Sequence, residues 1–78
     1  MNKSRKKELY DVTSILDDAI DRLEEIKNDE QDSFDLMPEG FQNSIRGDSM
    51  QKAMDRIDGF VTRIEKVKED IEKMAKGK

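Results

Sequence analysis

The sequence predicts an all-α protein: a long antiparallel helical hairpin that assembles as a dimeric four-helix bundle or a higher oligomer. Two apolar stripes with helical spacing, one in each half of the chain, predict the two helices. A central segment that holds the only proline separates the stripes and predicts the turn. Of 78 residues, 33% are hydrophobic and 44% are charged. A chain this short gains little stability from its own core, which favours self-association.

The first stripe predicts a helix over residues 4–37. Its apolar residues recur at alternating spacings of three and four: Leu9, Val12, Leu16, Ala19, Leu23 and Ile26. Ile15 and Ile20 flank the stripe on opposite sides and widen it, so we expect contact with more than one neighbouring helix. Ser4 is the predicted N-cap. Pro38 disfavours helical geometry in the residue before it, which predicts the end of the helix.

The second stripe predicts a helix over residues 49–76. It consists of Ala53, Ile57, Phe60, Ile64, Val67, Ile71 and Met74. It is widened by Met50, Met54 and Val61. Asp48 and Gln51 have the spacing of a capping box at its start, and Gly77 has the position of a C-cap. Gly59, inside the helix, costs about 1 kcal/mol relative to alanine and is interpreted as tolerated slack.

The whole chain, residues 1–78, is predicted to form one domain, with a loop over residues 38–48. That loop is longer than the roughly 2–8 residues usual between antiparallel helices. Four apolar side chains near it are expected to pack together and close the end of the bundle: Met37, Phe41, Met50 and Met54. Two hairpins packed as a four-helix bundle would cover both wide stripes. The predicted oligomer interface consists of Leu9, Val12, Leu16, Leu23, Ile57, Phe60, Ile64, Val67 and Ile71.

The tip of the hairpin is the predicted binding site. Free backbone N–H groups at the start of the second helix favour an anion, and the Arg46 guanidinium matches a phosphate or carboxylate. The predicted binding residues are Arg46, Ser44, Gln42, Asn43, Ser49 and Lys52. The alternative is a purely structural tip in which Arg46 pairs with Asp32, Asp35 or Glu39 of its own chain.

The residue inventory limits the chemistry. Without cysteine or histidine, the chain has no thiol nucleophile, no histidine base and no zinc site of the usual kind. We predict no catalytic residue, no metal site and no cofactor. The basic N-terminus lacks the apolar region of a signal peptide, and no apolar run reaches the roughly 18 residues that span a membrane. A cytoplasmic protein without membrane contact is therefore expected.

The net charge of −4 is unevenly distributed, because residues 11–39 hold eleven acids against two bases, Arg22 and Lys27. Such a segment repels nucleic acid, so direct nucleic-acid binding is not expected. It is compatible with a decoy for a nucleic-acid-binding protein through the charges of Asp17, Asp18, Asp21, Glu24 and Glu25. A magnesium-dependent nucleotide enzyme is a further alternative. The plainest interpretation is a solvated face with i,i+4 pairs such as Asp18–Arg22.

Four stretches carry a resemblance over roughly residues 12–65. They are Asp29-Glu30-Gln31, Met37-Pro38-Glu39-Gly40-Phe41-Gln42, Ser44-x-Arg46-Gly47-Asp48-x-Met50 and Ala53-Met54-Asp55. This pattern resembles small acidic helical-hairpin proteins encoded by phages and prophages of Gram-positive bacteria. The chain differs from them in its basic start, its more basic second helix, and Phe41 where leucine is usual.

The resemblance implies a phage accessory protein that acts inside a bacterial host. Small helical phage proteins often bind and neutralise a target, which here would be a host-defence effector or a nucleotide signal. The partner would accordingly be a host protein or a small anionic ligand, together with further copies of the chain. A purely structural assembly protein remains the alternative.

Overall fold

Two long antiparallel helices joined by one short helix form the protein, in a computed structural model that describes residues 1–77. The helices are α1, Lys3–Asp35; α2, Glu39–Gln42; and α3, Ile45–Lys76. No strand occurs in the described part of the chain. The predicted all-α hairpin is therefore confirmed, while its assembly stays a prediction.

The hairpin is thin and elongated. Its Cα atoms extend over 58 × 14 × 11 Å, with a radius of gyration of 17.6 Å. A globular domain of this length would have a radius of gyration of about 11.5 Å. Within residues 1–77, neither long helix contains a segment apolar enough and long enough to cross a membrane.

The start of α1 differs from the prediction by two residues. Asn2, not Ser4, is the N-cap, and its side-chain oxygen accepts a hydrogen bond from the backbone N–H of Arg5 at 2.8 Å. Asparagine and serine are equally good caps, and Lys3 between them is a good helix former, so the longer helix forms. α1 ends at Asp35, two residues before the predicted end at residue 37, so the proline predicted the place of the interruption but not the last helical residue.

The predicted loop over residues 38–48 and the predicted helix start at residue 49 are wrong. α2 occupies part of that loop, and α3 begins four residues earlier than expected. Ser44 is the N-cap of α3: its Oγ accepts a hydrogen bond from the backbone N–H of Gly47 at 3.3 Å. The predicted capping box is therefore not formed. Asp48 lies in the first turn, where its carboxylate is favoured by the positive end of the helix dipole.

Two further glycines lie at the end of α3 and in its interior. Gly77 is the C-cap, and its N–H donates to the carbonyl oxygens of Lys73 and Met74 at 3.1 and 3.2 Å. Its backbone is extended, so the cap does not depend on a left-handed conformation. A Cβ at Gly59 would meet only the end of the Arg63 side chain, at 4.0 Å. No close approach within the hairpin therefore requires Gly59, and a close approach of a helix from another copy stays the alternative to a merely tolerated glycine.

The interior between α1 and α3 is one line of side chains on each helix, again at alternating spacings of three and four. On α1 it consists of Leu9, Thr13, Leu16, Ile20, Leu23, Lys27, Glu30 and Phe34. On α3 it consists of Gly47, Met50, Met54, Ile57, Val61, Ile64, Lys68, Ile71 and Ala75. In the described residues, the buried hydrophobic side chains are Met50, Met54, Val61 and Ala75, and no large side chain is fully buried. The hairpin by itself therefore has a small core.

Candidate interaction surfaces

One broad face of the hairpin is closed by ion pairs between the helices, and we call it the ion-pair face. It is defined by Asp17 and Lys27 of α1 with Lys68 and Asp58 of α3. The Lys27 Nζ lies 2.7 Å from Asp58 Oδ1, and the Lys68 Nζ lies 2.8 Å from Asp17 Oδ1. The hydrogen bond to Asp58 raises the pKa of Lys27, and the hydrogen bond to Asp17 raises that of Lys68. Both lysines therefore stay charged and tie the helices together.

Thr13 belongs to the interior beside the ion-pair face. It is buried, and its Oγ1 donates a hydrogen bond to the Tyr10 carbonyl oxygen at 2.7 Å. This bond within α1 satisfies the hydroxyl, which makes the buried polar residue tolerable. The apolar pattern gave no signal for Thr13, because threonine at a stripe position reads as a break in the pattern.

The opposite face is largely apolar and exposed, and we call it the apolar face. Its members are Val12, Ile15, Ala19 and Ile26 of α1 and Ala53, Phe60, Val67 and Met74 of α3. Both helices contribute to the same grooves on this face: Ile26 lies beside Ala53 and Ile57, and Leu23 lies beside Phe60. Ile26 keeps 55% of its surface exposed. This face therefore leaves branched apolar side chains in water on both helices.

Some of the predicted interface residues lie between the two helices, and the others lie on the apolar face. Leu9, Leu16, Leu23, Ile57, Ile64 and Ile71 are half-buried between the helices. Val12, Phe60 and Val67 are exposed on the apolar face. By contrast, Met50, Met54 and Val61, which were expected to widen the second stripe, are buried together with Gly47 and Ala75 of α3. The helix pair thus meets along one side of each wide stripe, and the other side forms the apolar face.

The tip is held by side chains that were predicted to bind a ligand. The Gln42 Nε2 donates to the carbonyl oxygens of Phe34 and Met37 at 3.1 and 3.3 Å, which satisfies acceptors left free at the end of α1. Ser44 donates to the Phe41 carbonyl oxygen while it caps α3. Both side chains therefore have a structural role at the tip.

Gly47 lets α3 begin directly against α2. It is buried, and a Cβ built there would lie 2.6 Å from the Gln42 carbonyl carbon and 2.9 Å from the Phe41 carbonyl oxygen. Because those neighbours are backbone atoms, they have no side-chain freedom with which to move away. The glycine is required by this close approach and not by its own backbone angles, since φ is not positive. Only the three-dimensional contact identifies this role.

The outer surface of the tip is apolar. A groove of about 380 Å³ opens there, and its lining consists of Ser33, Leu36, Met37, Pro38, Phe41, Ser44 and Arg46. Leu36 and Ile45 are each 86% exposed, and Phe41 is 61% exposed. In the single hairpin Phe41 is therefore not packed with the buried Met50 and Met54 and the half-buried Met37. Its role at the end of an assembled bundle stays a prediction.

Arg46 stands at the edge of this groove without an ion pair in the described residues. The alternative in which it pairs with Asp32, Asp35 or Glu39 is thus not formed. Three further predicted binding residues are exposed and make no side-chain hydrogen bond within residues 1–77: Asn43, Ser49 and Lys52. Together with Arg46 they remain the predicted binding residues of the tip.

The acids of α1 are distributed along the whole helix. Within residues 1–77, no three acidic side chains come together in a group able to hold a metal ion. The i,i+4 pair expected between Asp18 and Arg22 is absent from the same residues. Pairs of this kind occur on α3 instead, where Lys66 Nζ lies 3.1 Å from Asp70 Oδ1.

Comparison with known proteins finds no matching family model, no matching curated protein and no matching solved structure. The interpretation of function therefore depends on the geometry of this chain: one face closed by ion pairs, one exposed apolar face, and an apolar tip edged by Arg46.

Proposed function

We propose that this protein is a non-enzymatic binding protein, a helical hairpin that self-associates through its apolar face and binds a target through its tip. The observation that carries the proposal is the difference between the two faces. One face is crossed by ion pairs, whereas the other leaves Ile26, Val67 and Met74 at least half exposed. An apolar surface along the full length of a small protein is typical of an interaction site.

The surface area supports assembly. The hairpin exposes 6141 Å², whereas a globular monomer of 9.1 kDa would expose about 4900 Å². From the extents of 58 × 14 Å, the broad face has a projected area on the order of 800 Å². That is the area per partner of a standard, specific protein interface. A second hairpin laid along the apolar face would therefore form an interface large enough for a stable dimer and complete a four-helix bundle.

The tip supports target binding, because its apolar side chains are not used by the fold. Leu36, Phe41 and Ile45 project from the end of the hairpin, and the Arg46 guanidinium lies beside them without an intrachain ion pair in residues 1–77. Apolar anchors with an adjacent arginine are typical of binding hot spots. A host protein with an apolar and acidic patch, or a small anionic ligand with an apolar group, fits this chemistry.

The biological setting of the proposal comes from the resemblance to phage and prophage proteins of Gram-positive bacteria. It supports an accessory protein that acts in the cytoplasm of a bacterial host and neutralises a defence effector or a nucleotide signal by stoichiometric binding. No covalent step is required, so the proposal assigns no catalytic residue, metal or cofactor.

The assembly part is tested by sedimentation equilibrium and light scattering over a wide range of protein concentration. We expect a dimer or a higher oligomer, with a melting temperature that rises with concentration because assembly stabilises the folded chain. A folded monomer whose melting temperature does not change with concentration would contradict self-association.

The tip is tested by affinity capture from infected host cells, followed by mass spectrometry of the protein and nucleotide fractions. Arg46→Ala should lose the captured target, whereas Lys7→Ala, which removes the same charge at the other end of the hairpin, should retain it. Circular dichroism should show equal helicity for both variants. If the two variants capture the target equally well, Arg46 is not part of the binding site.

A second candidate is an acidic decoy that occupies a nucleic-acid-binding groove of another protein. The observation in its favour is that four exposed acids repeat every seven residues along α1 and form no ion pair within residues 1–77: Asp11, Asp18, Glu25 and Asp32. Binding of this kind weakens strongly as salt concentration rises. Capture of the target that does not change between low and high salt would exclude the decoy.

A further inference from the structure

The two edges of the apolar face have opposite charge. Along the outer edge of α1 lie Asp11, Asp18, Glu25 and Asp32, which we call the acidic rim. Along the outer edge of α3 lie Lys52, Arg56, Arg63, Lys66 and Lys73, which we call the basic rim. Residues seven apart return to the same side of a packed helix, so the acidic rim is one row. The basic rim combines two neighbouring rows, one with Lys52, Lys66 and Lys73 and the other with Arg56 and Arg63. Arg22 and Asp70 are the exceptions, one on each edge.

Contacts on the apolar face show that the rims border it. Glu25 lines one groove with Ala19 and Ile26. Arg63 lines another with Phe60, and its guanidinium carbon lies 5.2 Å from the centre of the phenylalanine ring. The charged ends of the rim residues are therefore positioned to reach whatever covers the apolar side chains.

Most rim charges are not neutralised by their own hairpin. The acidic rim makes no ion pair within residues 1–77, and neither do Lys52, Arg56 and Arg63 of the basic rim. Lys66 and Lys73 form only exposed i,i+4 pairs, at 3.1 and 3.2 Å. Exposed pairs of this kind are weak and exchange readily. Both rims thus have charge available for a partner.

A second copy has two symmetric ways to cover the apolar face. In the same-end arrangement, the two-fold axis runs along the hairpin, both tips lie at one end, and α1 of each copy packs against α3 of the other. In the opposite-end arrangement, the axis is perpendicular to the hairpin, the tips lie at opposite ends, and α1 packs against α1 and α3 against α3. The same apolar side chains are buried in both, so the rim charges distinguish them.

We infer that two copies pair in the same-end arrangement, an inference that rests on the proposed self-association and specifies its geometry. This arrangement brings each acidic rim beside the basic rim of the other copy. The opposite-end arrangement would bring acid beside acid and base beside base, which is unfavourable along the full length of the interface.

The rim residues of the two copies also match in their positions along the long axis of the hairpin, which we call their heights. Because Asp17 pairs with Lys68 within the hairpin, the neighbouring Asp18 lies level with Val67. In the same-end arrangement, Asp18 therefore faces Lys66 of the second copy. Two helical turns further from the tip, Asp11 faces Lys73 of the second copy in the same way. A rotation about the long axis keeps these heights unchanged, so no sliding of one hairpin along the other is needed.

The same-end arrangement also determines the form of the target-binding surface at the tip. In the same-end arrangement, two tips lie side by side, each with its exposed Leu36, Phe41 and Ile45 and its Arg46. The target-binding surface is then a two-fold surface made by both copies, and a single hairpin holds only half of it. A target that engages both halves gains affinity from bivalent contact.

The arrangement is tested by distance measurements between spin labels on the full-length protein. A Cβ at Gly40 would meet nothing within 4 Å, so Gly40→Cys places a label at the tip without disturbing it. We expect tip-to-tip distances within about 25 Å, because neighbouring helices in a bundle lie about 8–10 Å apart. Lys76→Cys at the open end should also give short distances. A mixture of the two singly labelled proteins should give distances close to the 58 Å length of the hairpin.

The measured distances separate a failure of the same-end arrangement from a failure of self-association. Long tip-to-tip distances with short mixed distances, in a protein that still forms dimers, would overturn the same-end arrangement and leave the proposed self-association intact. Absence of any intermolecular distance, together with a monomeric mass by light scattering, would overturn self-association and the arrangement with it.

Charge reversal gives an independent test. Asp18→Lys or Lys66→Glu alone should raise the Kd of the dimer about tenfold, since each breaks two symmetric pairs. The double variant Asp18→Lys/Lys66→Glu should restore it. In the opposite-end arrangement, Asp18 and Lys66 of different copies do not meet, so the double variant would not restore the Kd, and that result would overturn the inference.

Discussion

The two faces of the hairpin are built from the same two helices, yet they are completed in different ways. On the ion-pair face, Lys27 and Lys68 reach across to carboxylates of the other helix, and Met54 and Val61 are buried beside them. On the apolar face, no ion pair joins the two helices within residues 1–77, and Ile15, Ile26 and Met74 are exposed. The comparison separates the interactions that hold one chain together from those that are left for another molecule.

This separation has a thermodynamic consequence. Contacts beneath the ion-pair face contribute to the free energy of unfolding of a single hairpin, which does not depend on protein concentration. Contacts of the apolar face contribute only when a partner covers them, so their effect grows with protein concentration. Substitutions beneath the ion-pair face should therefore change stability equally at every protein concentration. The effect of substitutions on the apolar face should instead increase with protein concentration.

The largest effect is expected from a charge placed in the centre of the apolar face. Ile26→Asp removes a branched apolar side chain from the proposed interface and replaces it with a carboxylate in both copies. We expect the dimer Kd to rise at least about a hundredfold, equivalent to about 3 kcal/mol. Sedimentation equilibrium measures this directly.

The matched control for Ile26→Asp is Gln31→Asp, which introduces the same carboxylate on α1 beside the ion-pair face. It should leave the dimer Kd within about twofold of the wild type, an ordinary result for a surface substitution. Equal weakening by both substitutions would mean that net charge, and not the apolar face, controls assembly.

The next largest effect is expected at Gly47, which lets α3 begin directly against the backbone of α2. Gly47→Ala forces a methyl group into the Gln42 and Phe41 carbonyl groups. We expect a loss of about 3 kcal/mol in the free energy of unfolding, measured by urea denaturation at fixed protein concentration. Gly40→Ala, whose Cβ would meet nothing within 4 Å, is the control and should not be destabilised. A normally stable Gly47→Ala protein would show that α3 can start elsewhere.

A pair of methionine truncations compares the faces with the same chemistry. Met54 is 7% exposed and Met74 is 58% exposed. Met54→Ala should lower the free energy of unfolding by about 2 kcal/mol at every protein concentration, because its contacts lie within the hairpin. Met74→Ala should have no effect in dilute protein and a measurable one only when the chain assembles. Thermal melts across a hundredfold range of concentration separate the two patterns, and identical patterns would contradict the assignment of faces.

The smallest effect is expected from the ion pairs, and it appears only at alkaline pH. The folded-state pKa values of Lys27 and Lys68 are raised above the usual lysine value of 10.5, by their hydrogen bonds to Asp58 and Asp17. Their contribution to stability is therefore complete below about pH 10.5 and is lost as pH rises through the higher folded-state values. The melting temperature of the wild type should fall more steeply above that pH than that of Lys27→Met/Lys68→Met. Parallel curves would mean that the pairs are not formed in solution.

Several features followed from local chemistry. Pro38 predicted the interruption after α1, Gly77 predicted the cap of α3, and the alternating apolar spacing predicted both long helices. The cap of α1 was misplaced because Asn2 and Ser4 are equally suitable. The start of α3 was misplaced because Ser44 and Asp48 both carry acceptable cap side chains, and the choice between them depends on the contact of Gly47 with α2.

The residues of the candidate site at the tip were likewise predictable only in part. Arg46 could be singled out from its position before a helix, and the structure leaves it without an ion pair in the described residues. Gln42 and Ser44 could not be assigned to the scaffold, because their partners are backbone carbonyl and N–H groups of residues brought near by the turn. Phe41 was expected to be buried at the end of the bundle and is exposed in the hairpin. Its hydrophobicity favours burial but does not specify which molecule covers the side chain.

By itself the sequence determined that the chain forms two long helices interrupted near Pro38, and that each helix carries an apolar stripe too wide for one neighbour. These are consequences of periodicity, proline and composition, which act over a few residues. Only the tertiary structure decided which side of each wide stripe meets the other helix. Packing selected the side where Lys27, Asp58, Asp17 and Lys68 can pair across the helices and where Gly47 admits α2, and it left Ile26, Phe60 and Val67 on the other side. That choice depends on contacts between residues some 30 to 50 positions apart, which no local pattern contains.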